Sequence, residues 1–182
     1  ENGYYFFNFF FPCDFPYSPP LVKYLTNDGI TRFHPNFYRN GKCCLSILNT
    51  WKGDEWTSCL TISSVLLSLC ILFTNDPLLH EPGINKNHHE INLYNEVIEY
   101  KNYSVSILNT VQNKCYLYNV FSDVIKNHFN ENKQVIINNL EKKQKQYEGK
   151  KTIVINISVY EMKGIVINYP LLIKNIKKIE IK

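Results

Sequence analysis

Between Asp28 and Glu55 the chain keeps neither the alternation of a strand nor the 3.6-residue period of a helix, and Gly29, Pro35, Asn40, Gly41 and Gly53 punctuate it. A stretch of that length inside a compact domain is functional or disordered, and its aromatic residues favour an ordered one. Its flanks must therefore supply the scaffold. Upstream, residues 3–12 and 21–26 are β-prone and are joined by a turn containing Pro16, Pro19 and Pro20, which predicts two strands paired antiparallel. Downstream, Thr57 or Ser58 is expected to cap a helix reaching about Thr74, apolar around most of its circumference and so buried. Asn75, Asp76 and Pro77 stop it.

The rest of the chain is mostly helical in pattern. Ile91, Tyr94, Ile98, Val105 and Leu108 mark one face of a helix from about Glu90 to Asn113, and Cys115 to about Glu148 continues helically. The charged run at 141–151 reads as a solvated face and linker. Ile153, Ile155, Ile157 and Val159 alternate as in a strand, and Pro170 is placed to open a short helix.

Composition excludes several classes of function. A chain of 182 residues holds one domain with an appendage, and 45% hydrophobic residues are enough for a core. A net charge of +4 is too mild to make nucleic acid the expected partner. The apolar run from Leu60 to Phe73 is shorter than the ~20 residues of a membrane span. The aromatic opening, stopped by Pro12 and preceded by no basic region, does not read as a signal peptide. None of the six cysteines forms a CxxC pair, so reduced thiols in the cytosol or nucleus are expected. Cys13, Cys43, Cys59, Cys70 and Cys115 read as small core hydrophobes. His80, His88 and His89 lack a second ligand pair, so no metal is expected.

The segment Phe33 to Leu48, FHPNFYRNGKCCLSIL, resembles the catalytic segment of ubiquitin-conjugating enzymes. Their His-Pro-Asn, Asn-Gly and Cys-Leu landmarks are matched by His34, Pro35, Asn36, then Asn40, Gly41, then Cys44, Leu45, with eight positions from Asn36 to Cys44. Phe15 to Pro20 is similar to the family's Pro-rich loop, and Trp56 with the helix after it to the family's Trp and second helix. Thr50, Trp51 and Gly53 before Trp56, and then Glu81, Pro82 and Gly83, look like the large Z-type members and their giant relatives. The resemblance implies an α+β fold, an antiparallel meander packed with helices. It assigns residues 1–115 to the catalytic core and 116–182 to a mainly helical C-terminal extension. It also implies a first helix and strand ahead of Gly3; the sequence opens on Glu1 rather than Met and reads as a fragment without them.

The chemistry follows from the residue types. Acyl transfer between carriers needs a soft nucleophile that is also a good leaving group, and a thiol is both. Cys44 is accordingly the expected nucleophile and thioester carrier. No His lies close to it in sequence, which argues against a cysteine hydrolase. Asn36 can donate an amide N–H to an oxyanion. His34 and Pro35 are expected to be structural, fixing the turn. A substrate lysine, with a pKa of about 10.4, must shed its proton, and the family does so beside an Asp or Asn at the rim of the site. The resemblance puts His80 at that rim. Tyr17 and Trp56 are the expected aromatic anchors for a ligase, with Cys59 beside them, where Thr57-Ser58-Cys59 replaces the family's Ser-Pro-Ala.

The implied partners are ubiquitin or a ubiquitin-like protein, an activating enzyme, a ligase and a substrate lysine, with neither nucleic acid nor membrane. No cofactor is implied, since ATP is consumed by the activating enzyme. The alternative reading is a noncatalytic ubiquitin-binding scaffold, against which the retained Cys44 argues.

Overall fold

The computed structural model describes residues 2–112, 119–147 and 151–180. These fall into two compact units. One is Tyr5–Asn95; the other joins the residues up to Tyr4 with Glu96–Lys182.

In the first unit, β1 (Phe7–Phe10) and β2 (Leu21–Tyr24) pair antiparallel, Phe7 opposite Tyr24 and Phe10 opposite Leu21. This is the pairing expected of two β-prone runs joined by a proline-rich turn. Val22 and Tyr24 point inward while Leu21 and Lys23 are exposed, the period-2 alternation of a sheet with one covered face. The covered face is aromatic. Tyr24 stacks on Phe37 with centroids 4.9 Å apart, and Phe7 lies 5.4 Å from each of them.

The irregular segment is tied to this sheet by backbone bonds. Tyr24 N–H donates to Gly41 C=O at 2.8 Å, and short bridges join Lys23 to Lys42 and Phe37 to Cys43. Gly41 has φ of 90°, and a Cβ there would stand 2.8 Å from the Tyr24 carbonyl oxygen. No L side chain fits without moving the strand.

The helix after this segment, α1 (Ile62–Ile71), starts later than Thr57 or Ser58. Leu60 N–H bonds to Thr57 C=O in a turn, and Thr61 is the N-cap. Its hydroxyl accepts from Ser64 N–H at 3.3 Å while Ser64 Oγ accepts from Thr61 N–H at 3.2 Å, a reciprocal capping box. Nor is α1 buried all round. Val65, Leu69 and Leu72 form a single inward stripe, while Ile62, Leu66, Leu67 and Ile71 are exposed. Pro77–His80 is a 3₁₀ turn, and α2 (Ile91–Lys101) follows.

In the second unit, α2 passes into a π-helical segment, Asn102–Asn109, and on α2 itself Val97 is buried where Ile98 was expected. The helix α3 (Ser122–Gln146) buries Ile125, Phe129, Ile136 and Leu140 along one stripe. A hairpin of β3 (Ile153–Ile157) and β4 (Met162–Ile167) and a final helix α4 (Tyr169–Lys177) complete it. Asn168 Oδ1 caps α4 by accepting from Leu171 N–H, and Lys133 Nζ donates to the Lys177 and Ile179 carbonyls at its other end. Cys115 and the start of the helix expected from it lie outside the described residues. Among the described residues no helix is long and apolar enough to cross a membrane.

Gly41→Ala combines a left-handed backbone with a collision against backbone oxygen, and should cost on the order of 2–4 kcal/mol. Gly29, with φ of 74° and nothing within 4 Å of where a Cβ would stand, should lose only about 1–2 kcal/mol on the same change. Urea unfolding midpoints of the two variants should differ in that order.

Candidate active site

All the candidate active-site residues lie within the unit Tyr5–Asn95. The turn at His34-Pro35-Asn36 folds back so that Asn36 meets Cys44. Cys44 N–H donates to the Asn36 carbonyl at 2.9 Å, and Asn36 Nδ2 donates to the Cys44 carbonyl at 2.6 Å. Both backbone polar groups of Cys44 are therefore held by one residue eight positions away. An amide nitrogen carries two hydrogens, so Asn36 keeps a second N–H beyond this bond.

The turn itself is locked from inside. Asn36 N–H donates to His34 Nδ1 at 3.1 Å, which leaves that nitrogen without a proton and puts the ring proton of neutral His34 on Nε2. Burial, with smaller contributions from His80 and Arg32, pushes the His34 pKa down to about 3. His34 is thus a neutral acceptor at physiological pH and no acid or base there. His80, in the 3₁₀ turn, is exposed and rests its ring against His34 with centroids 4.8 Å apart; its Nε2 is 3.4 Å from Thr74 Oγ1. The structure thus joins His80 to the His-Pro-Asn turn.

Sequence reasoning missed three side chains that shape the site. Arg32 Nε and Nη2 donate to the carbonyls of His34 at 3.2 Å and Pro35 at 2.5 Å, and its guanidinium lies 3.5 Å from the Tyr38 ring centroid. Asn49 adopts φ of 55° and accepts from Trp56 N–H at 2.8 Å. The Thr50 hydroxyl accepts from Leu45 N–H at 2.9 Å and faces the Cys43 carbonyl at 2.8 Å. Arg, Asn and Thr in a loop are ordinary, and only the return of the chain reveals what they hold.

Cys44 is buried, only 2% exposed, so its thiol must be uncovered for any acyl donor to reach it. Cys43 is buried as well, and burial pushes its thiol up to about 12. Cys13, Cys59 and Cys70 are exposed free thiols and not the core hydrophobes expected, because they sit in loops and on the outer face of α1. Trp56 is buried, its indole N–H donating to the Pro16 carbonyl at 2.7 Å. Its ring braces the Pro-rich loop from within, while Tyr17 on that loop is 80% exposed. Cys59 is exposed, three residues beyond Trp56. Trp51 is half exposed. Among the described residues no three His, Cys, Asp or Glu side chains are placed to share a metal ion.

The His34 geometry has a sign for pH. Its folded value near 3 lies below the ordinary imidazole value of 6.5, so the unfolded chain binds the proton more tightly. The stability it confers is complete above about pH 6.5 and is lost as pH falls towards 3, at up to ~1.4 kcal/mol per pH unit. Urea titrations of the native protein and His34→Gln at several pH values should show the native protein's advantage shrinking from pH 7 to 4.5. An advantage that grows on acidification would mean a charged His34 in the fold.

The comparisons with known proteins point to one family. A family model described as ubiquitin-conjugating enzyme matches residues 1–107. Ubiquitin-conjugating enzyme E2 Z of Xenopus tropicalis is 40% identical over 134 residues, which are 72% of this chain and 43% of that protein. The Homo sapiens E2 Z is 44% identical over 118 residues, 63% of this chain and 33% of its own length. The human protein named dual E2 ubiquitin-conjugating enzyme/E3 ubiquitin-protein ligase BIRC6 is 41% identical over 92 residues, 47% of this chain and 2% of its own. The chain spans less than half the length of these relatives. Because the matched residues include the turn that closes on Cys44, family and geometry agree: the chain belongs to the ubiquitin-conjugating enzymes, and to their Z type.

Proposed function

We propose that this protein carries ubiquitin or a ubiquitin-like modifier as a thioester on Cys44 and passes it to a lysine or to a ligase. The observation that carries this reading is the paired Asn36–Cys44 contact, which holds a side-chain amide donor against the backbone of the thiol-bearing residue. In the loading step the Cys44 sulfur attacks the carbonyl carbon of the thioester on the activating enzyme. A new C–S bond forms as the old one breaks, and the proton Cys44 loses goes to the departing thiol. In discharge the lysine nitrogen attacks the same carbon, the Cys44 sulfur leaves, and the amine proton returns to it.

Asn36 serves this chemistry through its second amide N–H, which donates to the oxyanion formed in either step. His34 and Pro35 are structural, and the neutral acceptor at His34 Nδ1 supports that role. His80 orients the lysine or takes its proton at the rim. Its exposure and its ring contact with His34, on the turn that ends in Asn36, support this placement. Tyr17 and Cys59 form the ligase-facing surface, with Trp56 bracing the Pro-rich loop behind them. Residues 1–115 act as the catalytic core and 116–182 as its extension; the family match, which ends at 107, supports a boundary in this region. The chemistry needs no cofactor of its own, ATP being spent by the activating enzyme. The activating enzyme, a ligase and a substrate lysine complete the partners. The free thiols are in keeping with a reducing compartment, the cytosol or nucleus.

The test incubates the full-length protein with ubiquitin-activating enzyme, ATP and ubiquitin and resolves it with and without reductant. Native protein should give a reductant-labile adduct, and Cys44→Ser none or a reductant-resistant ester. No adduct with ubiquitin or with any ubiquitin-like modifier and its own activating enzyme would leave the noncatalytic scaffold as the better reading. For His80, His80→Asn should slow discharge of the preformed thioester to free lysine while loading is unaltered. An unchanged discharge rate would remove His80 from the mechanism.

A further inference from the structure

The backbone N–H and C=O of Cys44, the C=O of Cys43 and the N–H of Leu45 are held by just two residues, Asn36 and Thr50. Asn36 takes both groups of Cys44 itself. Thr50 takes the groups on either side. Its hydroxyl oxygen accepts from Leu45 N–H at 2.9 Å, and its single hydrogen reaches the Cys43 carbonyl at 2.8 Å, with the Leu45 carbonyl at 3.1 Å as the alternative acceptor. Thr50 N–H returns to that Leu45 carbonyl at 3.2 Å, closing the loop through the 3₁₀ turn Ser46–Leu48. One side chain thus stitches the residue before the nucleophile to the residue after it.

We infer that Thr50 is a positioning residue for acyl transfer, holding the Cys43–Cys44–Leu45 backbone so that the Cys44 sulfur and the Asn36 amide keep the spacing transfer requires. The inference rests on the reading of Cys44 as the acyl carrier. Its physical basis is that the Thr50 hydroxyl pairs with Leu45 N–H and Cys43 C=O at the same time. Without it, a buried N–H and a C=O flanking the nucleophile lose their partners, and the segment must shift to find others. Small displacements of a reacting group are costly to rate even where the fold survives.

The test compares native protein, Thr50→Val, which keeps the shape and removes the hydroxyl, and Thr50→Ser, which restores it. The measured quantity is the single-turnover rate of ubiquitin transfer from charged activating enzyme to Cys44. Alkylation of Cys43, read by fragment mass spectrometry with iodoacetamide, serves as a guard on the fold. Cys43 is buried and its thiol is pushed up to about 12, so it stays unlabelled for as long as the segment is folded.

Thr50→Val should slow transfer by ~10–100-fold at saturating donor with Cys43 still protected, and Thr50→Ser should recover most of the native rate. Transfer by Thr50→Val within about twofold of native would overturn the inference, since positioning predicts a far larger loss. A loss matched by Cys43 labelling would also overturn it, because Thr50 would then be holding the fold and not the geometry. So would a Thr50→Ser variant as slow as Thr50→Val. Native protein that forms no adduct on Cys44 with any activating enzyme would instead defeat the acyl-carrier reading itself, and the two failures are distinguishable by the native lane alone.

Discussion

The exchange of two hydrogen bonds between Asn36 and Cys44 is the constraint on which the rest of the site depends. The segment from Asp28 to Glu55 has no ladder of its own, so most of its polar backbone must be satisfied by side chains or by the chain's return upon itself. Asn36 closes the largest of these returns. Smaller closures accompany it: Asp28 accepts from Thr31 N–H, Arg32 holds two carbonyls of the turn, Thr50 spans the nucleophile and Asn49 catches Trp56. The segment is ordered without being regular, because these backbone donors and acceptors are paired one by one.

Such pairing needs a rigid bed, and the aromatic face of the sheet supplies it. Tyr24 and Phe37 stack, Phe7 and Phe33 pack edge-on or tilted against them, and Phe73 reaches in from beyond α1. Large rings bury much area with few torsions to freeze, so they fix the loop at low entropic cost. Gly41 lets the loop touch the sheet backbone directly.

Two adjacent cysteines show how the same side chain is given different uses by its surroundings. Cys43 lies on the wall of a cavity of about 340 Å³ formed with Pro19, Leu21, Gly41, Leu48 and Thr50. Burial holds its thiol protonated and inert. Cys44 is not on that wall, in keeping with the opposite facing of neighbours in an extended segment, and it alone is tied to Asn36. The family resemblance singles out Cys44 by position, and the structure distinguishes it from its neighbour by its two hydrogen bonds with Asn36.

Much of this protein was legible in its residues. The β-prone runs at 3–12 and 21–26 and the alternation beginning at Ile153 held strands, prolines marked the first turn, and the spacing of His34, Pro35, Asn36 and Cys44 marked the candidate site. These are local properties, carried by backbone preference and sequence distance. What tertiary structure alone decided was environment. It exposed Ile62, Leu66 and Ile71 on a helix that composition made look wholly buried, and it left Cys13, Cys59 and Cys70 on the surface. It also buried Trp56, expected as an aromatic anchor for a ligase, against the Pro-rich loop, and gave Arg32, Asn49 and Thr50 their partners. Burial and hydrogen-bond partnership depend on which distant segments meet, and no periodicity or spacing along one chain encodes that meeting.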